Sequence, residues 1–312
     1  MKNEPIRHHY IPRFILKNFC IHGTDYLWYF DKQIDELSKV KTRDVFMVRN
    51  LYRDEINTPE NPTEIERDLA VYENEISQIL KEKILTGDEI VLTLDENEKL
   101  KLFFAIMSFR SKATNQMFGE QMKRESKKFY KHYQKNQDFQ DLWKRNLGYI
   151  VKCRSIKEII EYPNIDEPFK FFFCRDTIGV SGLHIVVVEA REPDQFLIGD
   201  TYPVDIRGVK EDGRQIPLYG IFPISHNRVV LIVESRAKDA PRSITHFRDC
   251  IFNKPIYQQE TNTIKIRVKK LYQEEIQYIN GEIFKTSSDG IAAADKNVIS
   301  LITKKLTETS IE

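Results

Sequence analysis

The spacing of apolar positions along this chain changes character near Pro163. Before it, Ile65, Leu69, Tyr72, Ile76, Ile79, Leu80 and Ile84 share one face at helical spacing, behind a Thr63/Glu66 pair with the form of a capping box. A second helix is predicted from near Asp95 to beyond Met117, with Leu100, Phe103, Phe104 and Met107 turned inward. After Pro163 the apolar residues come in short runs, at 169–173, 184–188, 195–198 and 228–233, separated by turn residues. That is the pattern of strands buried in a sheet. The shortest gaps favour antiparallel pairing, since a parallel crossover needs about a dozen residues. Near the N-terminus, aromatic residues 26–30 and the run 37–40 flank Asp31-Lys32-Gln33 and predict a β-hairpin. Helices are expected again over 268–278 and over 243–252, with a polar tail that frays beyond Thr286. The pattern predicts an α+β fold. Residues 1–162 form a mainly helical part with a short N-terminal hairpin, and residues 163–312 form a mainly antiparallel sheet with C-terminal helices. The helical part is expected to pack on the sheet, the two making one continuous domain.

The sharpest local pattern is the opening, Arg7-His8-His9-Tyr10-Ile11-Pro12-Arg13-Phe14-Ile15-Leu16-Lys17-Asn18-Phe19. Proline suits the first turn of a helix and pushes the residue before it toward extended geometry. Ile15, Leu16 and Phe19 then recur at helical spacing. The stretch predicts an extended lead-in and a short helix, with His8 and His9 at the helix mouth, where N–H groups and the dipole favour an anion or a carboxylate. The plainer alternative makes one histidine a cap and the other a satisfied, half-buried polar group. The motif is expected to pack onto the sheet.

Composition narrows this little. The 312 residues are 41% hydrophobic and 30% charged, and 48 basic against 47 acidic side chains leave a net charge of +1, so any electrostatic signal has to be local. Cys20, Cys153, Cys174 and Cys250 are far apart, with no Cys-x-x-Cys pair, which argues against a structural zinc site or a redox motif and for buried thiols of a reducing cytoplasm. Neither a signal-peptide core nor an apolar run of roughly 18 residues stands out, so no membrane partner is expected.

Helical spacing puts Arg110 on the same apolar face as Phe103 and Met107. A guanidinium there needs a partner, and Glu66 and Glu73, seven apart on the preceding helix, are the candidates; a structural ion pair is the plain reading. From Lys112 to Lys157 the chain turns basic, with Lys123, Arg124, Lys127, Lys128, Lys131 and Arg145 among aromatic residues. Those residues suit a nucleic-acid backbone with stacked bases, or a solvated face that packs against the acidic segment before it.

The order of motifs resembles an uncharacterised bacterial family of domains of unknown function. Its members open with His-Tyr-(Val or Ile)-Pro-x-x-x-Leu-x-x-Phe, here His9-Tyr10-Ile11-Pro12-Arg13-Phe14-Ile15-Leu16-Lys17-Asn18-Phe19. Asn50-Leu51-Tyr52, the spaced glutamates Glu66 and Glu73, and Arg110 match later features. Gly199-Asp200-Thr201-Tyr202-Pro203-Val204 corresponds to a Ser-Asp-x-Pro segment, with Gly for Ser and one extra residue. Phe222-Pro223-Ile224-Ser225 matches a Pro-(Leu or Ile)-Ser. The resemblance implies no activity.

No dinucleotide fingerprint, phosphate loop, nucleophile elbow or His-Glu-x-x-His occurs. What remains is His8, His9, Arg110 and Asp200 as candidate catalytic groups, with Asn50, Glu66 and Glu73 supporting them. Histidine moves protons near neutral pH, arginine stabilises phosphate charge, and histidine with carboxylate admits a divalent metal. The expectation is a hydrolase of nucleic-acid phosphodiesters, of the kind used by toxins and anti-phage defence effectors. Its rival is a non-catalytic ligand-sensing or protein-interaction module. If a site exists, His8 or His9, Arg110 and Asp200 are expected to converge in one cleft between the helical part and the sheet edge.

Overall fold

The computed structural model describes residues 7–116, 139–167, 169–170, 173, 183–209, 213–234 and 254–309. In chain order the described elements are β1 (Arg7–His9), α1 (Arg13–Leu16), β2 (Tyr26–Asp31), β3 (Glu36–Lys41), β4 (Met47–Arg49), α2 (Glu64–Ile79), β5 (Glu89–Thr93), α3 (Leu94–Phe109), α4 (Lys112–Gln116), α5 (Phe139–Ile150) and α6 (Ile156–Glu161). They continue with β6 (His184–Ala190), β7 (Ile198–Gly199), β8 (Val204–Val209), β9 (Gln215–Pro223), β10 (Arg228–Val233), β11 (Ile256–Gln258), β12 (Thr263–Arg267), β13 (Lys269–Leu271), α7 (Gln273–Thr286), β14 (Gly290–Ala293) and α8 (Lys296–Thr309). The fold is α+β, as the spacing predicts. Contacts divide it into two compact units.

The first unit comprises Met1–Tyr10, Phe46–Ile76 and Glu98–Ile178, and its described residues are mainly helical. Here β1 pairs antiparallel with β4, placing His8 opposite Val48 and His9 opposite Met47. Ile65, Leu69, Tyr72 and Ile76 of α2 are buried, as are Leu100, Phe103, Phe104 and Met107 of α3. Trp143 of α5 is fully buried between Tyr52 and Phe109, with ring centroids 6.1 and 6.3 Å away, and donates its indole N–H to the Phe109 carbonyl at 3.2 Å. Burying an aromatic of this size stabilises the unit by about 3 kcal/mol.

Two expectations fail in this unit. The second helix does not run unbroken past Met117: it stops at Phe109, and a new helix starts at Lys112. Ser111 accounts for the break, because its hydroxyl accepts the Thr114 N–H at 3.1 Å and so caps the new helix. The strand expected over 169–173 is not found at its described positions, since 169, 170 and 173 are helical. Residues four apart share a helix face, and Phe169 and Phe173 both reach Phe109, at 5.7 and 5.3 Å between centroids.

The second unit comprises Ile11–Val45, Ser77–Asn97 and Gly179–Glu312 and holds three sheets among its described residues. A five-stranded sheet has the order β13-β6-β10-β9-β8, antiparallel throughout except that β13 runs parallel to β6. The hairpin β2-β3 forms as expected, its turn fixed by Asp31 accepting the Gln33 N–H at 2.8 Å, and extends into a four-stranded sheet of order β3-β2-β14-β7. A third sheet has the order β11-β12-β5. Val188, Leu197, Leu218, Leu231, Ile279 and Ile291 form part of the core.

The C-terminal region departs from its sequence pattern. Residues 268–278 are not one helix: β13 pairs with β6 first, and α7 begins only at Gln273, where the Glu275 carboxylate accepts the Tyr272 N–H at 2.9 Å. Nor is the chain beyond Thr286 a frayed tail. The four residues of β14 are all buried between β2 and β7, and α8 follows. Small residues make that slot possible, for a Cβ on Gly290 would lie 2.4 Å from the Tyr29 hydroxyl. The helix expected over 243–252 lies outside the described residues. Among the described residues no helix is long and apolar enough to cross a membrane.

Candidate functional site

In the first unit the polar candidates gather around Arg110, at the C-terminal end of α3. Its position one turn after Met107 turns the guanidinium inward, where only 2% of the residue is exposed. One terminal nitrogen pairs with the Glu73 carboxylate of α2, and the other donates to the His9 carbonyl at 2.5 Å. Nε donates to the Tyr52 hydroxyl at 3.0 Å, and that hydroxyl donates to the Arg110 carbonyl at 3.2 Å. Burial opposes the guanidinium's charge, yet Tyr52, Glu73 and Glu66 outweigh it, so its pKa is raised. Burial likewise pushes Tyr52 up to about 12, a rise that Arg110 tempers.

His8 is fully buried, and its Nδ1 accepts the Tyr52 backbone N–H at 2.8 Å, which puts the neutral ring's proton on Nε2. Its ring stacks on Tyr52 at 5.5 Å and 5°. The two histidines lie in the extended lead-in that the sequence predicts. They lie in β1 ahead of the helix, whose N-cap is Pro12 in extended geometry, because the ladder with β4 claims residues 7–9. Glu66, one helical face from Glu73, contributes a second carboxyl near Arg110. Its Oε2 is buried with no hydrogen-bond partner among the described residues, and burial lifts its pKa to about 7, with Arg110 pulling down and Glu73 pushing up.

Asp200 belongs to the second unit. It leaves β7 with 7% exposure, and its carboxylate accepts from Ser288 Oγ at 2.8 Å and from the N–H groups of Ser288, Asp289 and Gly290 at 3.3, 3.1 and 3.4 Å. The preceding Gly199 stands where the resembled pattern has serine. A Cβ there would sit 2.0 Å from Ser287 Oγ, so the close packing of α7 on β7 needs the glycine. The helical half of the opening motif is also in this unit. Asn18 Nδ2 donates to the Ile224 carbonyl at 2.9 Å, and the Asn18 carbonyl accepts the His226 N–H at 3.1 Å, so the motif is pinned to the turn between β9 and β10. Ser225 shapes that turn by accepting the Arg228 N–H at 2.9 Å.

The sequence pattern of one family, described as proteins of unknown function, matches residues 7–297. The chain belongs to the DUF4238 family. No curated protein and no solved structure matches it.

Of the basic candidates in this DUF4238 chain, Lys123, Arg124, Lys127, Lys128 and Lys131 lie outside the described residues. Arg145 is described, and it pairs with Asp166 at 2.5 Å, a carboxylate shared with Asn146 at 2.7 Å. Asn50 holds a left-handed turn at φ 54° and lines a cleft of about 230 Å³ with Arg53, Asp54 and Lys144. Among the described residues no cluster of three or more His, Cys, Asp or Glu side chains could hold a metal ion.

Sequence reasoning missed Arg228. At the start of β10 it is 4% exposed, directly across the ladder from Glu189, whose Oε2 accepts its Nε at 2.6 Å. Its terminal nitrogens donate to the Ile84 and Gly87 carbonyls at 2.6 and 2.7 Å, capping the end of the turn that follows α2. An arginine opening the apolar run 228–233 was the available signal.

Proposed function

We propose that this DUF4238 chain is a non-catalytic binding module, with its buried polar groups serving the fold. The observation that carries the reading is the enclosure of Arg110. An arginine that stabilises a transferring phosphoryl group has to present donors to it. Here Glu73, the His9 carbonyl and the Tyr52 hydroxyl take them, at 2% exposure. The Asp200 carboxylate is likewise engaged by the 288–290 turn, and His8 Nδ1 by the Tyr52 N–H. A cytoplasmic setting goes with this reading, in keeping with the free thiols Cys20 and Cys153.

One observation favours a second reading, a hydrolase of nucleic-acid phosphodiesters that serves as a toxin or defence effector. A carboxyl lifted to about 7 beside an arginine suits general acid–base work, which places Glu66 ahead of the histidines. Nucleic-acid contact through the basic stretch from Lys123 to Arg145 belongs with it. The test is a metal-supplemented digest of labelled RNA and DNA by the purified wild type and by Glu66→Gln. A binding module cleaves neither substrate above background. Cleavage by the wild type that Glu66→Gln abolishes while still folding establishes the hydrolase instead.

A further inference from the structure

The second unit contains a cleft of about 300 Å³ where β12 leaves its three-stranded sheet and the chain enters β13 at the edge of the five-stranded one. Four cations are among its described lining residues, namely Lys254, Lys265, Arg267 and Lys269, and no carboxylate is. Their convergence follows from the strand register. Lys265 and Arg267 alternate onto one face of β12, and Lys265 faces Ile256 across the ladder with β11. Arg267, two after Lys265, is the next position of that face, and Lys254 lies in the lead-in to β11, two residues before Ile256. Lys265 is offset by Glu89 at 2.7 Å, but among the described residues neither Lys254 nor Arg267 has a carboxylate within ion-pair distance. Four cations lining a partly enclosed cleft, with no carboxylate among its described lining residues, concentrate positive potential beyond the chain's net charge of +1.

Apart from Gln258, the rest of the described lining is apolar. Val186 and Ile266 are buried, and Ile256 is exposed beside them. Cationic and apolar lining side by side, at the volume of a small-molecule site, fits a ligand with a phosphate chain at one end and a flat, weakly polar body at the other. We propose that this cleft binds a nucleotide-sized polyphosphate, its phosphates held by Lys254, Lys265, Arg267 and Lys269. The assignment rests on the binding-module reading and names its ligand class.

Titration calorimetry of the full chain with adenosine triphosphate, and separately with inorganic tripolyphosphate, tests it. Both bind saturably at low salt, and both weaken by about tenfold or more on going to half-molar salt, as charge-dominated contacts do. Tighter binding of the nucleotide than of tripolyphosphate assigns the apolar lining to the base, whereas equal binding assigns the cleft to the polyphosphate chain alone. The Lys265→Gln/Arg267→Gln double variant loses about tenfold or more for both probes, while Lys39→Gln/Lys41→Gln on β3 does not. No saturable binding up to millimolar probe, or full binding in a folded Lys265→Gln/Arg267→Gln variant, overturns the cleft assignment. Either failure leaves the binding-module reading to the digest with Glu66→Gln, which does not involve the cleft.

Discussion

Tyr52 and Arg110 hold each other twice, through Nε to the phenol oxygen at 3.0 Å and through the phenol proton to the Arg110 carbonyl at 3.2 Å. The phenol thus satisfies a buried charged donor and the carbonyl just past the end of α3 in one step. Tyr52→Phe keeps the ring between His8 and Trp143 but strands both groups. The expected cost is about 2–3 kcal/mol, read as a lower urea midpoint with an unchanged slope.

Glu66 makes stability fall with rising pH. Its folded pKa of about 7 stands above the ordinary 4.5, so between those values the folded chain keeps a proton that the unfolded chain has released. Stability contributed by the protonated carboxyl is complete below pH 4.5, declines through that window and levels off above pH 7. The decline amounts to about 2 kcal/mol after allowance for the partial exposure of the side chain. Glu66→Gln removes it. Denaturation curves at pH 5 and pH 8 should therefore differ less in Glu66→Gln than in the wild type, and an equal difference would contradict the burial argument.

Asp200 organises the turn between α7 and β14 through four hydrogen bonds from three residues. Asp200→Ala leaves the buried Gly290 N–H and its neighbours without an acceptor. A loss of about 2–3 kcal/mol is expected, together with faster amide exchange confined to residues 288–290.

Arg228 ties β10 to Glu189 on β6 and to the carbonyls of Ile84 and Gly87. Arg228→Met fills the space but strands two carbonyls and leaves the Glu189 carboxylate to the more distant Lys270, at 3.8 Å. Thermal unfolding should show a destabilisation of about 3–5 kcal/mol, and Glu189→Gln in the same background should recover part of it.

The local features were legible and the long-range ones were not. Hairpin β2-β3 announces itself by aromatic runs around a polar turn, and the inward aim of Arg110 follows from its spacing to Met107 and Phe103. The run 169–173 misleads because an unbroken aromatic stretch has no period, so strand and helix cannot be told apart until Phe109 is known to receive both Phe169 and Phe173. Strand β14 is hidden because Gly290-Ile291-Ala292-Ala293 has little strand propensity and gains its place only from Tyr29 and β7. Strand β13 is hidden because its partner β6 lies about eighty residues earlier in the chain. The candidate residues could be named one by one, yet which carboxylate closes Arg110 depends on how α2 and α3 pack. The cationic cleft depends on how β11, β12 and β13 come together, which gathers Lys254, Lys265, Arg267 and Lys269 in one lining, and the sequence drew attention to the basic helical stretch instead.

The claim that the Arg110 cluster is a staple is tested most directly by a double-mutant cycle on Arg110 and Glu73, with unfolding free energies from urea titration. Arg110→Met and Glu73→Leu should each cost about 3–5 kcal/mol, because each leaves a buried charge unpaired, and the double variant should recover at least half of that loss. If both single variants keep wild-type stability, Arg110 and Glu73 are not holding the unit together, and the structural account of the cluster is wrong.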